Sequence, residues 1–284
     1  MAPGQGIPTR ALGRTGVDVT IFGLGGEGVL RTHGRDAEAR AVIERALDLG
    51  VTYFDCARAY AGSEHYYGIS LGARRQKIFL TSKAFERTRR GALAQLEETL
   101  SLMGTDYLDL WQMHDVRDPR ELDQACAPGG ALEAFREARD QGKCRFLGVT
   151  GHHDPAVLSA ALRIFPFDTV LLPINPCEAH FRPFMASTLQ EAHALGMGII
   201  GMKVPARGHL LRTGVCSSIE PLMRYALSWP VSTIVIGCDT PRQVEENVGV
   251  AERFVAMREE EMRALEQALG PFVEHGQFYK KGMH

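Results

Sequence analysis

The sequence predicts a (β/α)8 barrel of the α/β class, on three observations. Eight short β-rich apolar runs alternate with amphipathic helical patterns along nearly the whole chain. Several runs, IFGLG, YLDLWQM and GIIGMKV among them, are almost continuously apolar, as strands buried on both faces of a parallel sheet are. No composition break or low-complexity stretch divides the chain, so the eight units are expected to close into one barrel over residues 1–284.

The predicted strands cover residues 20–24, 52–55, 78–82, 108–113, 146–150, 169–174, 198–203 and 233–236. The first helix is read over 36–49, where Ala39, Val42, Ile43, Ala46 and Leu47 share a face and Gly50 follows as a stop. Further helices are read over 89–103, 131–141, 155–162, 183–195, 217–228 and 241–253. Asp154–Pro155 and Thr240–Pro241 pair an N-cap with proline in the first turn. Residues 9–19 predict an N-terminal β-hairpin turning at Gly13–Gly16, and residues 258–269 an extra C-terminal helix. Residues 115–130 form the longest connection, polar and expected to be mobile, with Phe85, Met113 and Trp111 as candidate apolar wall beside it. Trp111 is equally compatible with the helix layer. The tail beyond Gly270 is compatible with folding over the mouth or with fraying.

Charged residues make up 23% of the chain and apolar ones 45%, with a formal net charge of −2, which offers no field to gather nucleic acid or an anionic membrane. No apolar run approaches the roughly 20 residues of a membrane span. The first residues lack an apolar signal core, and the six cysteines are scattered without a CxxC pair. Reduced thiols and a cytoplasmic location are expected. Nothing in the sequence speaks to the oligomeric state.

GLGGEG at 23–28 matches the G-x-G-x-x-G dinucleotide fingerprint, but helical periodicity resumes only near Asp36 and the chain holds 30 glycines. It is read as a glycine-rich loop at the barrel mouth. His152, His153 and Asp154 are adjacent on one loop, and no second cluster has ligand spacing, so no metal site is expected.

Side chains just past the C-terminal strand ends of a barrel converge on one mouth. Asp55 closes the second predicted strand, Tyr60 follows it, Lys83 closes the third and His114 the fourth. Each alone has an ordinary explanation: a cap, a rim aromatic, a solvated lysine, a core histidine. Together they match carbonyl reduction, which requires a proton on oxygen as hydride reaches carbon. A lysine ammonium beside a phenol is expected to lower its pKa, a carboxylate to keep the lysine charged, and a histidine to orient the carbonyl.

FDCARAYAGSE, TSK and DLWQMHD resemble the tetrad segments of the aldo-keto reductases. TRALGRTGVDVTIFGLGG resembles that family's capping hairpin and first strand, GVTGHHDP its fifth-strand segment and VIGCDTPRQVEENV its last cofactor-binding segment. The resemblance implies Tyr60 as general acid, Asp55 and Lys83 as its tuners and His114 as the carbonyl-orienting group. It also implies an extended nicotinamide dinucleotide across the mouth, and a small carbonyl compound as substrate. Gly25, Gly26, Glu27 and Asp55 would lie near the nicotinamide, and Thr150, Gly151 and His152 near its carboxamide. Met202 and Lys203 would face the ring and pyrophosphate, and Gly237, Cys238, Gln243, Glu246 and Asn247 the adenosine. Departures from the family pattern are Gly151 for an asparagine, Met202 for a stacking aromatic, Leu171 for a glutamine, and Asp239 where many members place an arginine against the 2′-phosphate. Family habit favours NADP(H), with NAD(H) compatible. A redox-sensing NADP(H)-binding regulatory protein on the same barrel is the alternative reading, and a Schiff-base aldolase using Lys83 a more distant one.

Overall fold

The computed structural model describes residues 6–281. The antiparallel hairpin comprises β1 (Thr9–Ala11) and β2 (Asp18–Thr20), joined through a 3-10 turn at Gly13–Thr15. Eight strands follow: β3 (Phe22–Gly28), β4 (Tyr53–Phe54), β5 (Phe79–Ala84), β6 (Leu108–Met113), β7 (Cys144–Thr150), β8 (Thr169–Pro173), β9 (Gly198–Met202) and β10 (Thr233–Cys238). They pair in parallel in chain order, and β10 returns to β3 to close the barrel.

The apolar strand runs divide between two faces. Tyr53, Phe79, Leu110, Leu171, Ile200, Met202 and Val235 fill the barrel interior. Phe54, Leu80, Trp111, Leu147, Val149, Val170 and Leu172 pack outward under the helices. The hairpin contributes Leu12 and Val19 to the interior cluster and so plugs the N-terminal end. Gly13 permits this closure: its φ is +54°, and a Cβ there would lie 2.1 Å from the Gly198 backbone nitrogen. Arg10 and Arg14 fasten the plug by donating to the carbonyls of Val231, Leu227, Leu195 and Phe167.

Helices Asp36–Asp48, Arg89–Met103, Ala131–Asp140, Pro155–Ile164, Thr188–Ala194, Glu220–Ser228 and Pro241–Glu252 fall within the predicted helical segments, apart from two extra residues at the end of Pro155–Ile164. The helix at 183–195 starts later than expected. Asp154 and Thr240 cap their helices as the sequence implies, accepting from the amides of Ala156 and Gln243. Helix Glu259–Leu269 is the expected C-terminal addition.

Three expectations are corrected. Residues 23–28 make up all of β3 but its first residue, not a loop; a 3-10 turn at Val29–Arg31 precedes the first helix. An unpredicted helix, Ser63–Leu71, fills the second unit. It escapes the amphipathic pattern because Ser63, Glu64, Tyr66, Tyr67, Ser70 and Leu71 bury most of its circumference. Residues 115–130 contain helix Pro119–Cys126, whose start Asp118 caps by accepting from the amides of Arg120 and Glu121, so this connection is structured. Trp111 stacks on Phe135 in the helix layer at a centroid distance of 4.0 Å. The tail forms short helical turns at Val273–Gly276 and Phe278–Lys280 and folds back onto the chain after β8. No helix among the described residues is long and apolar enough to cross a membrane.

Candidate active site

β4, β5 and β6 deliver three of the four candidate residues at neighbouring strand ends. Asp55 follows β4 directly, its amide donating to the Leu24 carbonyl. Lys83 lies in β5, and His114 follows β6 with its amide bonded to Ala84 O. Tyr60 sits in the tight turn before helix Ser63–Leu71. Lys83 Nζ donates to Asp55 Oδ1 (2.8 Å), Asp55 Oδ2 (2.7 Å) and Cys56 O (2.6 Å), and Thr81 Oγ1 donates to Asp55 Oδ1. The ammonium lies 5.1 Å from the centre of the Tyr60 ring. That ring meets His114 edge-on, with centroids 5.6 Å apart. The Arg31 guanidinium lies 5.1 Å from the same ring. The Tyr60 hydroxyl has no hydrogen-bond partner among the described residues.

Gly26 makes room for this arrangement. A Cβ there would stand 2.8 Å from Tyr60 Cδ2 and 2.9 Å from Asp55 O, so the phenol ring lies directly on the strand backbone.

Electrostatically the site differs from expectation at Tyr60. Burial pushes the phenol well above its ordinary pKa, the charges of Asp55 and Glu27 push the same way, and Arg31 opposes them. Lys83 is not among the leading influences on the phenol, and its ammonium is paired with both Asp55 carboxylate oxygens and the Cys56 carbonyl. Tyr60 is therefore a fully protonated donor at neutral pH. Burial, reinforced by the Lys83 charge, holds His114 well below the usual histidine range, so its imidazole is neutral. A neutral ring still carries one N–H to offer a carbonyl oxygen.

Beside the tetrad runs a groove of about 780 Å³ whose lining includes Glu27, Lys203, Arg207, Gly237, Gln243 and Asn247. Its floor at the mouth is a charge cluster. Glu27 accepts from Lys203 Nζ (2.9 Å), Arg207 (2.7 Å) and Arg31 (2.8 Å), which tie the end of β3 to the loop after β9. Arg207 and Lys203 hold the Glu27 carboxyl far below the usual range despite its burial. Lys203, Ala206 and Arg207 all have positive φ, between 47° and 59°. Strain of that kind persists where the surroundings over-determine it, and it gathers at ligand sites.

The structure brings only part of the expected cofactor set to this groove. Glu27, Lys203, Gly237, Gln243, Glu246 and Asn247 line it, as does Asp239. Gly25 and Gly26 lie within β3 outside the lining, Met202 closes the barrel interior, and Cys238 is fully buried, accepting from Asn247 Nδ2. Thr150 Oγ1 accepts from the Asp115 amide at 2.7 Å, and Gly151 N donates to Leu171 O. His152 sits edge-on to Tyr279 and against Asp115. Arg242 is exposed, paired with Glu246, and absent from the lining.

The family model of the aldo/keto reductase family matches residues 21–215. The chain belongs to this family. As an aldo/keto reductase it is an oxidoreductase, and its relatives span its length. It is 25% identical over 307 residues to L-galactose dehydrogenase of Arabidopsis thaliana, covering 93% of this chain and 95% of that one. It is 30% identical over 264 residues to an aldo-keto reductase of Mycobacterium sp. (strain KMS), covering 87% and 88%. An aldo-keto reductase from Bacillus halodurans, in its holo form, superposes with a TM-score of 0.76 at 22% identity, over 92% of this chain and 96% of that one. That likeness bears on the fold.

Some features of the mouth are visible only in three dimensions. Arg31 and Arg207 converge on Glu27 from separate loops; the PARG stretch after β9 was the available sequence signal. The tail is locked by an ion pair with both side chains fully buried: Lys280 Nζ donates to Glu178 Oε2 at 2.9 Å and to the carbonyls of Phe181 and Arg182. Tyr279 Oη donates to Glu178 Oε1 at 2.7 Å, and Asn175 Nδ2 donates to Tyr279. The tail thereby brings Tyr279 against His152 at the mouth.

Proposed function

We propose that this chain reduces aldehydes or ketones to alcohols using NADPH, with NADH as the weaker partner, and that Tyr60 delivers the proton. The observation that carries this reading is the Tyr60 hydroxyl. The Tyr60 ring is buried while its protonated hydroxyl, without a hydrogen-bond partner among the described residues, stays accessible from the mouth beside a neutral His114 and a Lys83–Asp55 couple.

The residues beside the tetrad fit a dinucleotide. The groove holds about 780 Å³, and Lys203, Arg207, Arg212 and Arg253 in its lining supply cations for phosphates. Gln243 and Asn247 lie in the first two turns of helix Pro241–Glu252, whose positive end favours an anion. The reduced nicotinamide would supply hydride to the carbonyl carbon. Tyr60 and His114 would both address the carbonyl oxygen, His114 fixing its direction and Tyr60 surrendering its proton as negative charge develops. Asp55 and Lys83 keep that pocket polar and rigid, and the same pairing makes Lys83 a poor Schiff-base nucleophile.

The decisive experiment is Tyr60→Phe assayed against a panel of carbonyl compounds. Turnover is expected to fall by about 10²–10⁴-fold, the range for loss of a general acid, with cofactor affinity changed little. Normal turnover in this variant would refute the mechanism. No turnover by the parent protein on any carbonyl, with tight NADPH binding, would instead favour a regulatory nucleotide-binding role.

A further inference from the structure

Asp115, His152 and His153 bring a carboxylate oxygen and two ring nitrogens within 4.8 Å of one another at the rim of the mouth. Asp115 Oδ1 lies 3.1 Å from His152 Nδ1 and 3.5 Å from His153 Nε2. Asp115 is only 8% exposed. Its Oδ2 accepts from Arg117 Nε at 2.8 Å, but its Oδ1 is buried without a hydrogen-bond partner. Neither imidazole contact is aligned as a hydrogen bond, short as it is. A buried carboxylate oxygen left in that condition is costly, and such an atom calls for an explanation.

A shared cation supplies one. An ion of the zinc class holds nitrogen and oxygen ligands at about 2.0–2.2 Å in a tetrahedral array, which separates neighbouring donor atoms by roughly 3.3–3.5 Å. Of the two distances at Asp115, 3.5 Å matches that spacing and 3.1 Å lies slightly under it. A hydrogen bond needs the ring nitrogen to aim at the oxygen, whereas a common ion needs both to aim at a point between them. Misaligned close contacts therefore suit an ion better than a pair of hydrogen bonds.

The trio is also held in place. Asp115 adopts a φ of +54°, fixed by its amide donating to Thr150 Oγ1 and by its carbonyl accepting from Arg87. His152 and His153 have centroids 4.5 Å apart, and His152 is braced edge-on by Tyr279. Asp154 is not a member, being engaged as helix cap and partner of Arg182. The carboxylate that completes the two histidines comes instead from the end of β6, which is why three adjacent residues on one loop looked unpromising in the sequence.

We propose that Asp115 Oδ1, His152 Nδ1 and His153 Nε2 bind a divalent first-row transition ion of the zinc class. An imidazole–carboxylate donor set selects such ions over magnesium or calcium, which prefer all-oxygen cages. Three protein ligands leave a fourth tetrahedral position for water or a small oxygen ligand. The proposal is independent of hydride transfer, since binding is read on the protein without nucleotide.

The test is titration of chelator-treated, untagged protein with zinc by calorimetry and with cobalt by visible absorption, for the parent chain, His153→Gln and Asp115→Asn. The expected result is one ion per chain, the intense visible bands of tetrahedral cobalt, and affinity lost by at least about tenfold in each variant. Unchanged circular dichroism and melting of the ion-free variants would locate the loss at the site. The two substitutions lie on different loops, so failure of one to fold leaves the other informative. Absence of saturable binding by the parent chain, or binding that survives both substitutions, would overturn the proposal.

Discussion

At the scale of single residues, burial dominates the titration of the site. In the proposed mechanism Tyr60 acts as the protonated phenol, and its raised pKa extends that form beyond the ordinary value of 10. His114 acts there as the neutral imidazole, and its lowered pKa extends that form below 6.5. Because kcat/KM reports the free enzyme, the profile for carbonyl reduction should be flat between about pH 6.5 and 10. An inflection near pH 8 would show that Lys83 acidifies the phenol after all. Gly26→Ala tests the packing beneath Tyr60. The methyl would meet Tyr60 Cδ2 and the Asp55 carbonyl at under 3 Å, and since the carbonyl cannot retreat the ring must move. A displacement of that order is expected to lower kcat by ~10²-fold in steady-state assays, with far-ultraviolet circular dichroism unchanged. Asp239, also in the groove lining, would repel a 2′-phosphate. Asp239→Asn should therefore shift the ratio of NADPH to NADH affinity towards NADPH by about 3–10-fold, read by fluorescence titration. The convergence of Asp55, Tyr60, Lys83 and His114 at one mouth was legible because each ends or follows a strand. The saturation of Lys83 was not, since it involves the Cys56 carbonyl, which no side-chain pattern announces.

At the scale of elements, what could be read was whatever had a one-sided environment or a local cap. β6 was legible to the residue, and helix Arg89–Met103 likewise, with Thr88 capping it and Gly104 in the left-handed conformation ending it. Helix Ser63–Leu71 was hidden because burial on most sides erases the polar stripe that periodicity depends on. The tail was undecidable, because its anchoring charge, Lys280, meets Glu178 only through tertiary structure. That anchor makes a definite expectation. Lys280→Met leaves the Glu178 carboxylate fully buried without its countercharge, a change that costs about 3–5 kcal/mol when a buried pair is broken. The tail rather than the barrel should absorb the loss: residues 273–281 become sensitive to limited proteolysis while the main melting transition moves little. Adding Glu178→Gln should restore protection, because the uncompensated charge is then gone. Continued protease resistance in Lys280→Met alone would show that the aromatic contacts hold the tail without the ion pair.

At the scale of the whole molecule, the barrel separates stability from chemistry along its axis. The mouth carries the tetrad, the groove and strained backbone, whereas the opposite end carries an apolar plug and arginine–carbonyl bonds. That division was foreseeable from strand order, because strand ends in a parallel barrel all face one way. The position of the hairpin's plug was not, since it depends on Gly13 meeting β9. Leu12 is fully buried between the hairpin and the interior cluster. Leu12→Ala should cost about 2–5 kcal/mol, because a plug fixed by four arginine bonds has little freedom to collapse into the cavity. For a chain of this size that corresponds to a melting temperature lower by roughly 5–15 °C. KM and kcat at a temperature well below the transition should remain within about twofold, because Asp55, Tyr60, Lys83 and His114 lie outside the interior cluster that the plug joins, which shares only Val235 with the groove lining. A fall in kcat that tracks the loss of stability would show instead that the interior layers transmit strain from plug to mouth, and that the two ends of this barrel are mechanically coupled.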